Sequence, residues 1–104
     1  MIFSYKYSIL DLMAEDGAST VNLSDWTHCR NHQIKIKVSA EPSAGTLTVQ
    51  IKSPGAAEFD TIGSITLNDA RQRLMFFTGN AEYLRFVPIN FDTDKKYSIY
   101  GYLS

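Results

Sequence analysis

Ile34-Lys35-Ile36-Lys37-Val38 is followed by the turn-rich Glu41-Pro42-Ser43-Ala44-Gly45 and then by Thr46-Leu47-Thr48-Val49-Gln50-Ile51-Lys52. Ile34, Ile36 and Val38 alternate with Lys35 and Lys37, while Leu47, Val49 and Ile51 alternate with threonine, glutamine and lysine. Successive side chains of an extended chain point to opposite sides, so each segment has one apolar and one polar face. That pattern belongs to antiparallel sheets packed on one side and wetted on the other. The short linker predicts a β-hairpin joining the two segments, with a loop of about five residues.

The same period extends in both directions. Residues 3–10 predict an N-terminal strand with Phe3, Tyr5, Tyr7 and Ile9 on a core-facing side, and residues 19–23 a shorter one. Ser53-Pro54-Gly55-Ala56-Ala57 breaks the chain. The pattern resumes with Phe59, Ile62, Ile65 and Leu67, and its change of phase around Gly63 predicts a bulge. Residues 74–78 form a short apolar run, Gly79-Asn80 turns the chain into a strand over 82–87, residues 90–96 read as a loop, and residues 97–103 close the chain as a strand. Helical signal is confined to single turns near residues 10–15 and 68–73. About seven or eight short strands predict an all-β fold, an antiparallel β-sandwich of Greek-key or jelly-roll type. At 104 residues, the chain reads as one domain over 1–104.

Composition narrows the function. Hydrophobic residues make up 44% and charged residues 20%, as in ordinary globular chains, so disorder is excluded as the main state. The net charge of −1 lacks the field of a dedicated nucleic-acid binder. One cysteine excludes a disulfide framework. No basic segment precedes an apolar run at the N-terminus, which predicts no signal peptide, and no apolar stretch reaches the roughly 20 residues of a membrane span.

Asp25-Trp26-Thr27-His28-Cys29-Arg30-Asn31-His32 holds both histidines and the cysteine. The types suit zinc, but the adjacent His28 and Cys29 lack the paired spacing of a structural site. A Cys29–His32 nucleophile pair would need a base brought in by a second segment; a polar loop with a packed cysteine is the simpler expectation. Asp92-Thr93-Asp94 offers oxygens to calcium, yet Lys95 and Lys96 follow directly, which favours a solvated turn. Arg71, Arg73, Arg85, Lys95 and Lys96 interleave with Tyr83, Phe86, Tyr100 and Tyr102, a combination used on single strands of nucleic acid, which the net charge again disfavours. No phosphate-binding glycine loop and no GxSxG or HExxH motif occurs, and no catalytic, cofactor or metal-binding set emerges.

The final strand is apolar or aromatic on both faces: Tyr97, Ile99 and Leu103 on one, Tyr100 and Tyr102 on the other. One face belongs to the core, and the other is available to a partner, since tyrosine is enriched at interfaces. Tyr100, Tyr102 and Trp26 are the candidate interface residues, although Trp26 is also suited to plugging the base of the sandwich. A second reading is a carbohydrate-binding module that stacks a host-surface glycan on Trp26, with His28, Asn31 and Asp92 around it.

The stretch Gly45-Thr46-Leu47-Thr48-Val49-Gln50-Ile51-Lys52-Ser53-Pro54-Gly55-Ala56, continued by Phe59, Gly79, Tyr83-Leu84-Arg85-Phe86-Val87-Pro88 and Tyr97, resembles small β-sandwich virion proteins of tailed bacteriophages. The resemblance covers residues 34–103 and is one of style rather than of a unique motif. It implies a non-enzymatic structural protein, a capsid decoration or tail accessory component that binds other virion proteins and assembles as a homo-oligomer. It implies no nucleic-acid or membrane partner, and a location in the virion after synthesis in the bacterial host cytoplasm.

Overall fold

The structure is a computed structural model that describes residues 5–41, 43–68 and 73–104. Eight strands are present among them: β1 (Tyr5–Leu12), β2 (Ser19–Asn22), β3 (Asn31–Val38), β4 (Thr46–Lys52), β5 (Asp60–Thr66), β6 (Leu74–Thr78), β7 (Tyr83–Ile89) and β8 (Tyr97–Leu103). They form two antiparallel four-stranded sheets, ordered β1-β8-β3-β6 and β2-β7-β4-β5. Apart from the β4–β5 hairpin, every connection carries the chain from one sheet to the other. This is the two-sheet jelly roll, so the all-β sandwich expected from the alternation is the architecture found.

The expected hairpin between the Ile34 and Leu47 segments does not form. β3 pairs with β8 and β6, whereas β4 pairs with β5 and β7 in the opposite sheet. Two strands that each carry one apolar stripe can sit side by side or face each other across a core. Here they face each other, and the chain passes between Val38 and Thr46 from one sheet to the other, a gap of roughly 10 Å. That crossing is fastened locally. Arg73, itself buried, donates to the Glu41 carboxylate, to the Ser43 hydroxyl and to the Leu67 carbonyl. The Leu67 amide donates to the Gly45 carbonyl at 3.0 Å. Gly45 has φ +105, and a Cβ there would lie 2.8 Å from the Ile89 and Asn90 carbonyl oxygens, so no other residue fits.

The bulge expected at Gly63 is present. Val49 pairs with Gly63 and Gln50 with Thr61, which leaves Ile62 as the extra residue. A second irregularity lies in β1, where Ile9 pairs with Ile99 but Leu12 with Tyr97. Asp11 takes a positive φ of 55 there, and Leu10 is thrown outward. Single 3-10 turns occur at Ala14–Asp16, overlapping the turn expected over 10–15, and at Ser24–Trp26, which the sequence did not announce. Phe3 and most of the turn expected over 68–73 lie outside the described residues.

The core lies between the sheets. Ile34, Ile36, Tyr97, Ile99 and Leu103 come from one side, and Leu47, Val49, Ile65, Leu84 and Phe86 from the other. Leu12, Leu23, Cys29, Leu67, Ala81 and Phe91 close its rim from loops and strand ends. Tyr5, Tyr7 and Ile9 pack against it from β1, as their alternation predicts.

Candidate functional site

The outer face of the β1-β8-β3-β6 sheet carries Tyr100, Tyr102 and Phe76, aromatic side chains that the core does not use. Strand register lays two rows across it. Lys6, Tyr102, Gln33 and Phe76 form one, and Ser8, Tyr100, Lys35 and Leu74 the next. The Lys6 ammonium lies 5.9 Å from the centre of the Tyr102 ring, and that of Lys37 lies 5.5 Å from Tyr100. Each lysine stem thus covers aromatic surface while its charge stays wet. Phe76 is 67% exposed, Leu10 60% and Leu74 41%. A shallow groove of about 290 Å³ runs past Asn31, Gln33, Phe76, Tyr102 and Ser104.

The charge on this face is mostly of one sign. The four strands carry Lys6, Lys35 and Lys37 and a single carboxylate, Asp11, at the β1 irregularity. Among the described residues the carboxylates sit in loops, at the Asp11 bulge and at the start of β5. A near-neutral chain therefore presents a basic, aromatic sheet face and acidic connections.

Of the candidate interface residues, the fold brings Tyr100 and Tyr102 together and places Trp26 elsewhere. The half-buried indole packs against the core, with its ring centre 5.3 Å from that of Tyr5. It occupies the plug position rather than the open face. Lys6, Lys37 and Phe76 complete the face and were not singled out from the sequence. The available signal was the run Leu74-Met75-Phe76-Phe77, whose two faces are both apolar although one sheet has only one core side.

The remaining candidates are used structurally. Cys29 is buried, and burial pushes its thiol pKa up, away from thiolate chemistry. His32 donates from Nε2 to the Gly79 carbonyl at 2.8 Å and stacks on Phe77 at 4.4 Å. Its buried Nδ1 has no hydrogen-bond partner among the described residues, and burial lowers its pKa. Among the described residues no group of three or more His, Cys, Asp or Glu converges on one point. The Asp92 carboxylate accepts from Lys95 at 3.0 Å and from the Ala44 amide at 3.1 Å, and the Lys95 bond holds its pKa down.

The glycan set does not assemble. The Asp92 amide donates to the hydroxyl of Tyr97, at the end of β8 that pairs with Leu12 and Val38. His28 packs edge-on against Tyr5, at the end where Tyr5 and His32 pair with Leu103. Six strand residues, about 20 Å, separate those ends. The basic and aromatic residues of the second half scatter as well. Arg73 is buried in its clamp. Phe86 is core, and Arg85 stacks on Phe59 at 4.1 Å on the other sheet. Arg71 lies outside the described residues.

No family model matches the chain. No curated protein matches it either. Solved structures match by fold. The Yersinia pseudotuberculosis-derived mitogen superposes with a TM-score of 0.63 at 7% identity, over 99% of this chain and 86% of that one. The SPBc2 prophage-derived protein YomS superposes with a TM-score of 0.55 at 13% identity, over 99% of this chain and 96% of that one. At such identities the likeness establishes a shared sandwich fold.

Proposed function

We propose that this chain is a non-enzymatic structural protein of a tailed-bacteriophage virion, and that it binds an acidic surface of another virion protein through the outer face of the β1-β8-β3-β6 sheet. The observation that carries this reading is the Tyr100–Tyr102 face, with its exposed Phe76 and Leu74, three lysines and no carboxylate outside the Asp11 irregularity of β1. Rigid aromatic side chains give contact area at low entropic cost, and a single sign of charge selects a complementary partner. The jelly roll is a common capsid architecture, and a prophage-derived protein shares this fold. In support of a non-catalytic role, the perturbed groups found among the described residues are explained by packing. Burial raises Cys29 and Tyr7 and lowers His32, while Glu41 and Asp92 are lowered by their lysine or arginine partners.

The test is sedimentation of a phage-producing lysate on a density gradient, with this chain followed by mass spectrometry. Migration with large particles, in fixed ratio to a major shell or tail protein, is expected. Recovery only at the top of the gradient, as a small species, overturns the reading.

A further inference from the structure

The sandwich has four edge strands, β1 and β6 in one sheet and β2 and β5 in the other. Three of them carry features that discourage pairing with another chain. β1 has an outward lysine, Lys6, and the Asp11 irregularity. β2 has only four residues, all but one polar. β5 begins on Asp60 and is broken by its bulge at Ile62. β6 reads Leu-Met-Phe-Phe-Thr, with no charge, no proline and no bulge.

The register of β6 shows which backbone groups are open. The Ile36 amide donates to the Arg73 carbonyl, and the Gly79 amide to the Arg30 carbonyl. In an antiparallel ladder the groups alternate between partners. Arg73, Met75, Phe77 and Gly79 therefore bond toward β3, and Leu74, Phe76 and Thr78 direct their N–H and C=O groups away from the sheet. Among the described residues no strand pairs with that side.

We infer that the β6 edge pairs antiparallel with β6 of a second copy of this chain, about a two-fold axis at Phe76. The open residues are spaced symmetrically around Phe76, so the edge is its own complement, as a two-fold interface requires. Phe76 faces the partner's Phe76, and Leu74 faces the partner's Thr78 in both directions. The two exposed phenyl rings become a cross-strand aromatic pair, and each of the three residue pairs exchanges both backbone bonds. No like charges meet at the seam. Behind Phe76 the next residue in its row is Gln33, and behind Leu74 and Thr78 the next residues are Lys35 of one copy and Asn31 of the other. The result is one continuous sheet of eight strands whose outer face joins two Tyr100–Tyr102 patches side by side. This pairing does not depend on what that face binds.

Sedimentation velocity of the purified chain over a wide concentration range tests the inference. The wild type is expected to pass from monomer to dimer as concentration rises. Phe76→Lys is expected to remain monomeric, with at least a tenfold weaker association, because it puts two ammonium groups face to face. Thr78→Lys, also at an exposed site, should weaken association independently, and Ile62→Lys on the β5 edge should not. Phe76→Cys is expected to form a disulfide-linked dimer on mild oxidation while Leu10→Cys does not, since paired antiparallel residues lie about 5.5 Å apart at Cα. A wild type that stays monomeric throughout, or a dimer that Phe76→Lys and Thr78→Lys leave intact, overturns the inference.

Discussion

Gly101 and Tyr7 share one volume on the inner side of β8 and β1. A Cβ on Gly101 would fall inside the Tyr7 ring. Gly101→Ala is thus expected to displace the ring and cost about 1–3 kcal/mol, the range for overpacked cores, as measured by urea unfolding. A result within error of wild type would show that the ring has room to move. His32 gives a pH signature. Burial disfavours its imidazolium, so the folded chain binds a proton less readily than the unfolded chain, whose histidines titrate near ~6.5. Above that pH both states are neutral and the residue adds no slope. As pH falls below it the unfolded chain protonates first, and stability declines until the folded state protonates too. The urea midpoint should therefore drop between about pH 7.5 and 5.5, and His32→Gln should flatten that drop. An equal slope in the variant would assign the effect to another group. Glu41 and Asp92, whose pKa values are lowered, act only at more acid pH, so they do not mask it.

At the scale of elements, alternation told which residues face inward but not which strands are neighbours. β8 was read with its bounds of 97 and 103, and the Gly63 bulge was visible because an extra residue shifts the phase of every apolar position after it. The β3–β4 connection was misjudged for a physical reason. A short polar linker is compatible both with a hairpin and with a crossing between sheets, and the choice is made by contacts remote in sequence. Arg73 supplies them here, and nothing local to residues 41–45 announces it. Arg73→Ala removes bonds to Glu41, Ser43 and the Leu67 carbonyl. The expected loss is about 1.5–3 kcal/mol, as for bonds to a charged group, read as a lowered urea midpoint. Glu41→Ala should cost much less, because that carboxylate is 55% exposed. Equal losses in the two variants would contradict the clamp.

For the whole molecule, two sheets with opposed apolar faces leave two outer faces free; Tyr83 lies under Lys52 on one, and Tyr100, Tyr102 and the exposed Phe76 and Leu74 lie on the other. Tyr100 and Tyr102 were legible as candidates because their strand is aromatic on the side away from Tyr97 and Ile99. Trp26 was not separable from them in the sequence, since a loop residue has no period that fixes its direction. The lysines over the rings and the exposed Phe76 come from three other strands, and only the β1-β8-β3-β6 order brings them to one surface. That surface is the proposed docking face. Its most direct test is rebinding, to particles stripped of this chain, of the wild type and of Lys6→Glu/Lys37→Glu, which reverses charge at solvated positions without touching the core. Rebinding by the wild type with loss in the double variant, while both unfold at the same urea concentration, is the predicted result. Undiminished rebinding of the double variant would contradict the account.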